Sequence, residues 1–165
     1  MPDKPGVTGS KEPKSTPRRR MILSRKALSG NSYLLLLGLE VRQTPELLER
    51  IKKGLGYNSW ESFIRNTDLR KEDATSLVQI SPRTLSRRKE EGRLHPDESD
   101  RLTRAARIFA LASELFDGDV DSAREWLTGA QPALGGSTPI EYASTDIGAR
   151  EVESLIGRLE HGIPS

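Results

Sequence analysis

The 165-residue chain contains no cysteine, which excludes disulfide staples, thiolate zinc sites and cysteine nucleophiles together. Histidine is almost as scarce. His95 and His161 lie far apart, and neither has a second ligand at helical spacing, so no metal or other cofactor is expected. Aromatics are 5% and hydrophobics 34% of the residues, so the core is modest, built mainly from Leu, Ile and Ala, and suited to packed helices rather than sheets. Long apolar runs are missing as well. Tyr33 to Leu39 is the longest, well short of the roughly 20 residues that span a bilayer, and no membrane association is expected. Arg18 to Leu23 resembles a twin-arginine export signal. However, Gly30, Asn31 and Ser32 interrupt the stretch downstream of it, Glu40 ends the apolar run, and no small-residue cleavage site appears, so a cytoplasmic location is expected. Catalytic equipment is absent too. There is no nucleophile beside a base, no pair of carboxylates in contrasting surroundings, and no glycine-rich phosphate loop after a strand, so the chain is not expected to be an enzyme.

What is present is charge, unevenly spread. The formal net charge is only +2, yet residues 1–29 carry eight Lys and Arg against two acids, while Asp117 onward carries three Arg against nine acids. The two ends therefore suit different partners. Residues 1–29 mix Pro, Gly, Ser, Thr and basic residues with little that can be buried, which predicts a disordered basic arm. Such an arm can follow a phosphate backbone, or serve only as a solubilising tail.

Helix signals begin after the arm. Thr44 and Pro45 open a segment with Leu47, Leu48 and Ile51 at inward spacing and Gly54 at its end. Asn58 precedes Trp60, Phe63 and Ile64, the spacing of one buried face. A third helix is expected over residues 71–78, with Ala74, Leu77 and Val78 inward and acids in its first turn, where the helix dipole favours them. Ser81 then caps, Pro82 starts and Gly92 stops a fourth helix only about three residues later. So tight a connection makes the two helices cross steeply, with Ile80 and Leu85 as plugs between them.

That pattern is a helix-turn-helix, whose second helix lies in a DNA major groove. Arg83, Thr84, Arg87, Arg88 and Lys89 then lack an apolar stripe because one face meets DNA, and only Leu85 anchors the other. Arginine pairs bidentately with guanine, whereas Ser81, Thr84, Ser86 and Lys89 suit phosphate oxygens. An ordinary solvated charged helix is the plainer alternative, since Glu90 and Glu91 partly neutralise its end.

From Pro96 to Phe116, Leu102, Ala105, Ala106, Phe109, Ala112 and Phe116 recur at helical spacing, and Ile108, Leu111 and Leu115 broaden the stripe. This long helix is the expected spine of the molecule. A short helix over residues 121–127 inserts Trp126 and Leu127 into it, and Gly135, Gly136 and Pro139 mark a sharp turn. The last helix, from about Asp146 to Glu160, has Ile147, Val152, Leu155, Ile156 and Leu159 inward. The expected fold is all-α, with an arm over 1–29, a helix-turn-helix DNA-binding domain over 30–95 and a small helical domain over 96–165.

The ordered set Ile80-Ser-x-Arg-Thr-Leu-x-Arg-Arg88, Gly92-x-Leu94, Glu98-Ser-x-Arg-Leu102, Ala123-x-x-Trp-Leu127, Leu134-Gly-Gly136, Pro139, Gly148-x-x-x-Val152 and Leu155-Ile-x-Arg-Leu-Glu-His-Gly162 resembles the Xre/MbcA/ParS-type antitoxins. The resemblance covers roughly residues 40–165. It implies a partner, a RES-domain toxin that consumes NAD, and a helix-turn-helix that binds the operon's own promoter DNA, often as a homodimer. It also implies that the C-terminal domain and the chain's end block the toxin's active site. By position, Arg83, Thr84, Arg87 and Arg88 become DNA contacts, while Arg158, Glu160, His161, Gly162, Ile163, Pro164 and Ser165 become toxin contacts. The other reading of the same residues is a transcriptional repressor whose C-terminal domain only dimerises.

Overall fold

A computed structural model describes residues 32–40 and 43–162. The disordered arm expected over 1–29 lies outside the described residues, as do Ile163, Pro164 and Ser165. The described residues are all-α, with a single isolated bridge between Gly56 and Arg93 in place of any strand. In chain order the helices are α1 (Ser32–Leu36), α2 (Thr44–Lys53), α3 (Tyr57–Thr67), α4 (Lys71–Val78), α5 (Pro82–Glu91), α6 (Pro96–Leu115), α7 (Val120–Thr128), α8 (Pro139–Tyr142) and α9 (Asp146–Glu160). A 3₁₀ turn, Pro132–Leu134, sits between α7 and α8. None of the described helices is long and apolar enough to cross a membrane.

The spine expected from the periodicity is α6. It packs against α1, α2, α3 and α4 and also against α7 and α9. Its buried residues, among them Leu102, Ile108 and Phe109, belong to one continuous apolar cluster running from Leu36 to Ile156. Phe63 of α3 meets Phe109 edge to face with ring centroids 6.5 Å apart, and the Trp60 ring lies 6.4 Å from that of Phe63. Burying a side chain such as Phe109 stabilises the fold by roughly 1.5–3 kcal/mol. Ser113, fully buried on the same helix, satisfies its hydroxyl by donating to the Phe109 carbonyl at 2.9 Å.

Three inward assignments differ from the sequence expectation. Leu47 is buried but Leu48 is 50% exposed, because neighbouring residues stand about 100° apart on a helix and α2 meets α6 along one edge. Ile147 is 83% exposed, since it lies about 140° round α9 from Val152. Leu159 shares the stripe of Val152 but falls on the last turn of α9, and it is partly exposed. Two elements go beyond the sequence expectation. The run at Tyr33 begins as a short helix, α1, that buries Leu34 and Leu36, and the turn at Pro139 is itself helical. Thr138 and Glu141 cap that turn reciprocally.

Candidate functional site

Helices α4 and α5 are joined by Gln79, Ile80 and Ser81. Gln79 is left-handed (φ 53°) and reverses the chain at the C-terminus of α4. The Ile80 amide donates to the Thr75 carbonyl at 3.3 Å, and Ile80 and Leu85 are both buried. Ser81 then caps α5 as its sequence position predicts. Its hydroxyl oxygen accepts from the Thr84 amide at 3.1 Å and donates to Thr84 Oγ1 at 2.9 Å. Gly92 ends the helix in the left-handed region (φ 72°), and its carbonyl accepts from the Tyr57 amide at 3.0 Å. Two residues beyond, the Leu94 amide donates to the Leu55 carbonyl at 2.8 Å, which ties the exit of α5 to the start of α3.

The faces of α5 sort the DNA-contact candidates. Arg83, Ser86 and Arg87 share the outward face, with Glu90 completing it, and all four are exposed. Arg87 has only a loose ion pair, 3.9 Å to Glu91. Ser81 and Thr84 stand at the capped N-terminus, Ser81 exposed and Thr84 half-buried. Lys89 is exposed but lies about 120° from Arg83, on the flank of the helix.

Arg88 departs from the expectation. Its side chain is 3% exposed, because it lies about 140° round from Arg83 and about 60° from Leu85. Its Nε donates to Glu98 Oε2 at 2.7 Å, its Nη1 to Glu91 Oε2 at 2.6 Å, and its Nη2 to His95 Nδ1 at 3.0 Å. Arginine can only donate, so His95 presents an unprotonated Nδ1 to it. Glu98 Oε2 also accepts from the His95 amide at 2.7 Å. The next residue, Ser99, is fully buried; its hydroxyl accepts from the Leu55 amide and donates to the His95 carbonyl, both at 2.8 Å. Burial alone pushes the Glu98 carboxyl up, but the hydrogen bonds from Arg88 and from the His95 amide, with the charge of Arg88, outweigh it and hold the group below its ordinary value. The Glu98 bond in turn raises Arg88. Arg88 therefore locks the back of α5 to the first turn of α6 instead of facing solvent. The spacing of Leu85 and Arg88, three residues apart on one face, is the signal that could have revealed it.

Helices α6 and α9 run parallel. Arg104 binds Asp146 at 3.2 Å, Arg107 binds Glu153 at 2.6 Å, and further along Glu114 is pushed upward by burial and by the charge of Glu160, against an opposing hydrogen bond from Ser32. The C-terminal candidates consequently gather at the far end of the spine from α5. Glu98 and Glu114 are separated by about 24 Å along the helix. Arg158 is partly exposed; its Nη1 donates to Ser154 Oγ at 2.9 Å and its Nη2 lies 3.5 Å from Glu151. Glu160 and His161 are exposed, and His161 Nδ1 donates to the Gly157 carbonyl at 2.7 Å. Gly162 adopts φ 64° just past the helix end, where the chain leaves α9.

Comparison with known proteins matches both halves. The family described as the antitoxin Xre-like helix-turn-helix domain matches residues 46–107. The antitoxin Xre/MbcA/ParS C-terminal toxin-binding domain matches residues 111–162. The two matches meet within α6. The chain is 34% identical to an antitoxin Xre of Yersinia enterocolitica over 128 residues, 77% of this chain and 86% of that protein. It is 31% identical to an antitoxin Xre of Photorhabdus laumondii over 147 residues, 88% and 99% of the two. A third antitoxin Xre, from Pseudomonas putida, is 38% identical over 86 residues, 51% of this chain and 54% of that protein.

Proposed function

This chain belongs to the Xre antitoxin family, and from that premise we propose that it neutralises a RES-domain, NAD-consuming toxin and represses its own promoter as a cytoplasmic homodimer. The observation that carries the reading is the separation of two exposed surfaces by one rigid helix. At one end of α6, α5 presents Arg83, Ser86 and Arg87 outward while Leu85 and Arg88 hold its back. At the other end, the chain leaves α9 through Gly162.

Inserted in a major groove, Arg83 and Arg87 read base edges, while Ser81, Thr84, Ser86 and Lys89 bind phosphate or sugar. Arg88 acts behind them, holding the helix in place. On this reading Arg158, Glu160, His161 and Gly162, with Ile163, Pro164 and Ser165 after them, occupy the toxin's concave nucleotide site and exclude the substrate.

The test separates the two tasks. Deleting Ile163 to Ser165 abolishes protection of cells expressing the toxin and leaves promoter binding intact. Arg87→Ala does the reverse, weakening promoter affinity by about 1–3 kcal/mol if it reads a base, or lowering the salt slope by about one if it touches phosphate. Full protection by the shortened chain sinks the first half of the proposal. An unchanged isotherm for both Arg83→Ala and Arg87→Ala sinks the second.

A further inference from the structure

Ile147 is the most exposed of the large apolar side chains described, at 83%. A lone surface isoleucine needs no explanation. This one, however, is held where it is. On the other side of α9, Ala149, Val152, Leu155 and Ile156 are buried, so the helix cannot turn to cover Ile147. The first turn is pinned as well, because Thr145 Oγ1 accepts from the Gly148 amide at 3.1 Å and Gly148 lies so close to the Tyr142 carbonyl that no side chain fits there.

Ile147 heads a continuous outward face. Glu151, Ser154 and Arg158 follow it at helical spacing, and His161 stands just past the helix end, about 21 Å from Ile147. Of the ion pairs beside this face, Arg150 with Asp146 at 3.0 Å is solvent-exposed and Arg158 with Glu151 at 3.5 Å is partly so. Exposed pairs of this kind contribute little to stability, so their arginines can be taken over by another protein's carboxylates at little cost. An apolar anchor ringed by arginines and acids, on a helix already rigid in the free protein, is the composition of an interface centre with its polar rim.

We propose that this face, from Ile147 to Arg158, is where the body of the toxin docks, with Ile147 filling an apolar socket rimmed by carboxylates. The proposal rests on the reading of the chain as a toxin-neutralising protein, and it extends the contact from Arg158 back along α9 to an apolar anchor at Ile147. The occupant is argued from position, since the whole face lies within the segment that matches the toxin-binding domain.

The experiment uses the full chain and a RES-domain toxin that it is found to neutralise on co-expression, inactivated by substitution, in isothermal titration calorimetry. Ile147→Asp weakens binding by about 30-fold or more, the loss typical of an interface hot spot. An acid at this first-turn position suits the helix dipole, so the thermal midpoint and promoter affinity stay at wild-type values. Ile147→Ser, the milder variant, weakens binding in the same direction. Leu48→Asp, equally disruptive but outside the matched C-terminal segment, binds as the wild type does. If the wild-type chain binds and Ile147→Asp binds equally well, the docking face is wrong while the functional reading stands. Loss of self-association with toxin affinity intact overturns it too, and assigns the face to a second copy of this chain. No binding by the wild-type chain overturns the functional reading itself, and the docking face with it.

Discussion

Arg88 and Arg87 are adjacent and chemically identical, yet their surroundings assign them opposite work. Arg87 reaches solvent, whereas Arg88 is enclosed with Glu98, and removing either member of a buried pair leaves the other charge without its partner. Their replacement by alanine is therefore expected to differ in kind: Arg88→Ala acts on stability, whereas Arg87→Ala leaves stability nearly unchanged and, under the proposed function, acts on DNA affinity. The pair also imposes a pH dependence. Glu98 has a folded-state value below its unfolded one, so its stabilisation is complete above the ordinary carboxylate range, near pH ~4, and fades as the pH falls through the depressed value. Urea midpoints of wild type and Glu98→Gln differ most at neutral pH, and the gap narrows with acidification. A gap independent of pH between about 7 and about 2.5 would show that the carboxylate charge contributes nothing.

At the level of the element, α5 is a ten-residue helix, too short to persist alone in water. Its start and stop are local, in the Ser81 cap and the Gly92 reversal, but its persistence depends on Leu85 and Arg88 docking against the rest of the fold. Gly92 isolates the local part. A Cβ there meets nothing within 4 Å, so substitution costs only the left-handed backbone at φ 72°. Gly92→Ala is expected to lower stability by about 1–2 kcal/mol and Gly92→Asn by less, since asparagine tolerates this conformation. Chemical denaturation measures both, and equal losses would point to a steric cause that the structure does not contain.

Across the whole molecule, α6 makes the two halves one cooperative unit. The apolar cluster does not break at residues 95 and 96, where the long helix begins, and Phe109 on that helix touches Phe63 of α3 while its neighbours pack on α7 and α9. Trp60 on α3 and Trp126 on α7 belong to different halves of the chain and serve as separate probes. The single-tryptophan variants Trp60→Phe and Trp126→Phe should unfold at the same denaturant concentration, and Phe109→Ala should lower both transitions together by about 3–5 kcal/mol. Two separated midpoints would show two independently folding parts.

Residue order by itself determined the helical class, the limits of α5, α6 and α9, and the resemblance that the family matches bear out. Those features are written in caps, stops and periodicity, interactions that close within a few neighbouring residues. Tertiary structure decided which stripe of each helix is covered. It drew Arg88 inward to Glu98, left Leu48 and Ile147 in solvent, and joined the halves through one core. Periodicity shows which residues share a face, but burial depends on what packs against that face, and those partners lie far along the chain.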